Sequence, residues 1–143
     1  MASELKWKAA SSRTTGIAGS SMAAGANVLG SEIDNATNED RWITCELTWT
    51  TSATSLVGEV VELYLLYAIN GTAYEDGAAA TDPKKAPVAV FVNDGGTGAQ
   101  KQVVSRIPLD PFKFKLLIKS ELTEACTADS VTLLAYTYNE EGQ

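Results

Sequence analysis

Carboxylates gather in two stretches of this chain, "EIDNATNED" (32–40) and "YEDG" (74–77). Paired acids can serve glycoside hydrolysis, one as general acid and the other as base or nucleophile. Carboxylate and amide oxygens brought together on one loop can also hold calcium. Neither stretch has EF-hand spacing, so both read first as solvated acidic loops that favour solubility. The chain has no histidine, which removes Ser-His-Asp and Cys-His catalysis and the imidazole metal sites. Its two cysteines, Cys45 and Cys126, have no CxxC spacing and build no zinc site on their own. "NDGGTGAQK" (93–101) has the glycines of a phosphate-cradling loop but not the P-loop spacing, and no helix is signalled after it. It predicts a hairpin tip. Five tyrosines and three tryptophans could form a sugar-stacking platform, although aromatics at strand spacing more often serve core or interface packing. These residues assemble no catalytic constellation and call for no cofactor or metal, so the chain is expected not to be an enzyme.

The elements that would carry such residues are strands. "RWITCELTWT" alternates Ile43, Cys45, Leu47 and Trp49 with Trp42, Thr44, Glu46 and Thr48, the period-2 pattern of a strand with one polar face. "EVVELYLLYAI" sets Val61, Leu63, Leu65, Tyr67 and Ile69 against Val60, Glu62, Tyr64, Leu66 and Ala68. Both of its faces are largely apolar, which predicts a strand covered on both sides, by the core and by an arm or a partner. "NGTAYEDG" after it reads as an exposed turn. "APVAVFVNDGG" sets Val88, Val90 and Val92 against Ala89 and Phe91, and "KQVVSRIPL" is a shorter strand ended by Pro108. "PFKFKLLIKSEL" points Phe112, Phe114, Leu116 and Ile118 inward and its lysines outward, and "SVTLLAYTYNEE" closes the chain with another alternating strand. Short strands punctuated by Gly, Asn, Asp and Pro, with no long helix, predict one all-β domain, a jelly-roll-like antiparallel β-sandwich.

The N-terminal third is different. "SELKWKAA" alternates weakly as a short first strand, and "SSRTTGIAGSSMAAGANVLGSEIDNATNED" is rich in Gly, Ala, Ser and Thr. Residues 1–40 therefore read as an arm-like segment with short β-pieces, notably around "NVLGSEI", and residues 41–143 as the main strands. Leu5, Trp7 and Ile17 are apolar anchors that a free tail would have little reason to keep, since each exposed one forgoes about 1.5–3 kcal/mol of burial. Together with Arg13 and Trp42, which sits on the polar face of its strand, they are the candidate contact residues for a partner or a neighbouring subunit; the alternative is that "ELKWK" is an edge strand of the chain's own sandwich.

Net charge is −7 and the sequence pI near 4.5, which argues against nucleic acid and anionic membranes as partners. No apolar run reaches the roughly 18 residues of a membrane helix. The first residues lack the apolar core of an export signal, so the cysteines are expected to be reduced, and Asn35-Ala-Thr and Asn70-Gly-Thr to be turns rather than glycan sites.

"MASELKWKAASS", "TTGIAG", "GSEIDNATNEDRW", "VELYLLYAINGTAYEDG" and "PFKFKLLIKSE…DSVTLLAYTYNEE", in this order, resemble a family of small tailed-phage virion proteins. The resemblance covers most of the chain, the segment 77–100 departing furthest, and it carries no catalytic motif. It implies a capsid decoration (cement) protein, a homotrimer bound to the major capsid protein on the virion head and assembled in the host cytoplasm. The alternative is a tail- or fibre-associated sandwich that binds host surface carbohydrate.

Overall fold

The structure, a computed structural model, describes residues 5–7, 12–51 and 56–142. Its strands are β1 (Leu5–Trp7), β2 (Ser12–Ser20), β3 (Asn27–Asp34), β4 (Trp42–Thr50) and β5 (Val60–Ala68). The second half adds β6 (Ala89–Val92), β7 (Ala99–Pro108), β8 (Lys113–Ser120), β9 (Val131–Tyr138) and β10 (Glu140–Gly142). Two four-stranded antiparallel sheets, β2-β9-β4-β7 and β3-β8-β5-β6, pack face to face, while β1 and β10 form a separate ribbon. Each strand of the first half pairs with its mirror in the second, β2 with β9, β3 with β8, β4 with β7 and β5 with β6. This is a long hairpin wrapped around a core, the jelly-roll order.

Alternation decides what is inside. Ile43, Cys45, Leu47 and Trp49 of β4 face Leu63, Leu65, Phe91, Phe114, Leu116 and Ile118 across the sandwich, all buried. Two devices close its sides. At one side β2 and β3 cross so closely that a Cβ on Gly30 would lie 2.5 Å from the carbonyl oxygen of Gly16. Only glycine allows that approach of backbone to backbone. Both strands bulge there. Thr15 pairs with Leu134 and Ile17 with Leu133, leaving Gly16 extra; Leu29 pairs with Leu117 and Glu32 with Lys115. Such bulges bend a strand around a corner. At the other side the Gln102 side-chain amide acts as a missing peptide unit for β6. Its Oε1 accepts from the Val92 N–H at 3.0 Å, and its Nε2 donates to the Val92 carbonyl.

The N-terminal segment departs from the arm reading. Residues 12–34 are two full edge strands, one in each sheet, and Ile17, Met22 and Ile33 lie in the common core. The bulges at Gly16 and after Leu29 break the period-2 signal, which is why the stretch reads as irregular. β7 also runs longer than its sequence suggests, starting at Ala99.

The second face of β5 is covered, but by the chain itself. Residues 69–88 do not form a simple turn; they fold back over the outer face of β3-β8-β5. Tyr64, Leu66 and Leu117 are buried there as a small second cluster, with Leu29 packed against it. Gly77, at φ 147°, rests on Leu66, where an added Cβ would come within 3.0 Å of Leu66 Cδ1.

Candidate interaction surface

The acidic stretches are engaged in turn hydrogen bonds and ion pairs. Asp34 Oδ1 accepts from the Ala36 and Thr37 amides at 3.0 and 3.3 Å. Buried Asn35 donates to the carbonyls of Asp40 and Asp110 at 2.8 and 2.9 Å and accepts from the Asp40 amide at 3.0 Å, tying the turn to the β7–β8 connection. In "YEDG", Glu75 pairs with Lys85 at 2.8 Å and Asp76 with Lys84 at 2.9 Å. The stretch 93–100 is not the expected hairpin tip, because it carries the chain from β6 in one sheet to β7 in the other; within it Asn93 Oδ1 accepts from the Gly95 amide at 2.8 Å, and Gln100 Nε2 donates to it at 3.0 Å. Among the described residues no three His, Cys, Asp or Glu side chains are grouped to hold a metal ion. Cys45 and Cys126 are free and buried, and burial pushes their thiols up to about 12 and about 11. Neither is a nucleophile at neutral pH.

What distinguishes one part of the surface is the contrast between the two outer faces of the sandwich. The outer face of β3-β8-β5 is strapped. The outer face of β9-β4-β7 carries aromatic and aliphatic side chains between threonines. Trp42 of β4 pairs directly with Tyr138 of β9, Thr44 with Tyr136, and Glu46 with Leu134. On the other flank Glu46 pairs with Val103 of β7, which is 56% exposed. Trp42, Leu134, Tyr136 and Tyr138 are all half-buried. Directly opposed aromatics on one sheet face lie close enough to present a joint ring surface.

A bulge shapes the end of this face. Ile43 pairs with Ile107 but Cys45 with Val104, so β7 carries an extra residue, and Arg106 adopts a left-handed φ of 60°. The conformation is uncommon outside glycine and marks a local constraint. It sets the Arg106 guanidinium 5.9 Å from the centre of the Trp42 ring, within cation–π range. The face is also low in acid for so acidic a chain: Glu46 is ion-paired with Lys101 at 3.2 Å.

The five residues singled out in the sequence fare differently. Trp42 lies on this open face. Ile17 is 4% exposed and packs in the chain's own core, so it is no external anchor. Leu5 and Trp7 sit in β1, and Arg13 in β2 opposite Tyr136, but their side chains lie outside the described residues. Tyr136, Tyr138, Leu134, Val103 and Arg106 are the members of this face that the sequence did not single out. The alternation of β9 placed its tyrosines on one face, but nothing in the sequence says that Trp42 is their neighbour. Comparison of the chain with protein-family models, with curated proteins and with solved structures found no match.

Proposed function

We propose that the chain is a phage virion structural protein, a head decoration protein that binds the major capsid protein through the open face of β9-β4-β7. The observation that carries this reading is the inequality of the two outer faces: the chain covers one with its own loop and leaves the other lined by Trp42, Tyr136, Tyr138, Leu134 and Val103. Aromatic residues and arginine, with few unpaired acids, are what interface centres favour. The motif resemblance supplies the virion and the head shell. A jelly roll closed at both sides suits a cement role, which needs a rigid body and an adhesive face but no active site. Mixing the protein with undecorated expanded heads and sedimenting them tests the reading. Saturable cosedimentation in many copies per head is expected, and protein left wholly in the supernatant overturns it.

The homotrimer implied by the resemblance needs a contact other than the second face of β5, which the strap occupies. The exposed row Val88, Val90 and Val92, 38–46% exposed, offers one. Light scattering is expected to give about three times the 15.1 kDa chain mass. The carbohydrate reading draws on one observation, the adjoining Trp42 and Tyr138 rings; retention on host cell-wall polysaccharide without head binding would favour it instead.

A further inference from the structure

The strap over β3-β8-β5 is held mainly by polar hooks, although what it covers is apolar. Lys85 Nζ donates to the Leu65 carbonyl and to Glu75 Oε2, both at 2.8 Å. Glu75 then clasps the end of β5: its amide donates to the Tyr67 carbonyl at 3.1 Å, and its Oε2 accepts from the Tyr67 amide at 3.0 Å. Further along, Asn27 Nδ2 of β3 donates to the Ala78 carbonyl at 3.2 Å and to Asp82 Oδ1 at 3.0 Å. Lys119 of β8 approaches Asp82 at 3.4 Å, and Glu121 competes for it at 2.6 Å. The Tyr74 hydroxyl donates to the Glu32 carboxylate of β3, which Lys113 of β8 meets at 3.1 Å, and the Lys115 ammonium stands 4.4 Å over the Tyr74 ring. Asp34, Glu62 and Asp110 are further carboxylates whose charge is felt at this clasp, through Tyr74, Tyr64 and Tyr67, and Asp76 pairs with Lys84 at 2.9 Å on the strap itself.

We propose that residues 69–88 are an acid-released strap, which lifts from the outer face of β3-β8-β5 and uncovers Tyr64, Leu66 and Leu117 while the two sheets stay folded. Three of its hooks, Glu32, Glu75 and Asp82, are ionised acceptors. The strand ladders and the apolar core that hold the sheets do not titrate.

The electrostatics agree in direction. Glu32 is held below its ordinary range by the Tyr74 hydroxyl and then by Lys113, and Asp82 by the Asn27 amide and then by Lys119. Burial works against the Glu75 carboxylate, but Lys85 and the Tyr67 amide outweigh it and hold it low as well. Each group's folded value lies below its unfolded one. Its contribution is therefore complete above the ordinary carboxylate values of 4.5 and 3.8 and is lost as pH falls through the lower folded values.

Amide hydrogen exchange of the full chain at pH 6.5 and pH 3.5, corrected for the intrinsic rates, reads the strap directly. The amides of Tyr67 and Glu75 are bonded across the clasp, and those of Leu63 and Leu133 lie in the core strands. In acid the clasp pair is expected to exchange at least about tenfold faster while the core pair keeps its protection, the signature of local opening. The double variant Glu32→Gln/Asp82→Asn is expected to show the same loosening at pH 6.5. Clasp amides that stay protected at pH 3.5, or that lose protection together with the core amides, overturn the proposal. So does a double variant that exchanges like the wild type.

Discussion

Replacing Gly30 with alanine tests how the sandwich is closed. The new Cβ would lie 2.5 Å from the Gly16 carbonyl oxygen and 3.1 Å from that of Leu116. Both atoms belong to backbone in strands fixed by their ladders, to β9 for Gly16 and to β5 and β3 for Leu116. No side chain can swing aside to make room. The corner has to open, pulling β2 from β3 and loosening Ile17 and Ile33 behind it. Overpacking costs typically 1–3 kcal/mol, and a clash confined to backbone belongs at the upper end, about 3 kcal/mol. For a chain of this size that is a fall in Tm of about 10 °C. Gly98→Ala is the matched control, since a Cβ there meets nothing within 4 Å. Thermal and urea unfolding of the two variants beside the wild type give the difference. A Gly30→Ala protein within about 1 kcal/mol of Gly98→Ala would show that β2 and β3 do not cross in this way.

Truncating Leu66 or Leu117 to alanine is expected to cost about 2–5 kcal/mol in urea unfolding, as much as truncating Leu63 on the inner face. A cost below about 0.5 kcal/mol, the usual range for a surface site, would mean that the strap does not cover them. Both cysteines are expected to resist alkylation in the native protein and to take up one label each after denaturation without reductant, read by intact mass. Denatured protein that takes no label would mean a disulfide.

The strands from Trp42 onward were legible because each inner residue alternates with a polar or half-covered one. The "ITCELTW" and "FKFKLLI" runs assign their own core faces. Alternation also flagged β5 as covered twice over, but not by what. The cover, residues 69–88, is polar and small-residue chain with no period, and its hooks reach Asn27, Glu32 and Lys119, which are distant in sequence. β2 and β3 were hidden for a related reason: the glycines and bulges that turn the corner are what erase a strand's signature. The open face was half legible. Trp42 could be seen to stand on the polar side of its strand, whereas its adjacency to Tyr138 and Arg106 depends on strand order and on one bulge in β7.

The most direct test of the proposed adhesive role is head binding by the double variant Trp42→Ala/Tyr138→Ala, titrated against undecorated heads beside the wild type. Both side chains are half-buried on the outer face, so the variant is expected to fold and to keep a cooperative unfolding transition. If these rings form the centre of the contact, each should carry about 2 kcal/mol or more, a loss of at least about thirtyfold in affinity per residue. Heads bound by the variant as tightly as by the wild type would contradict the assignment of this face.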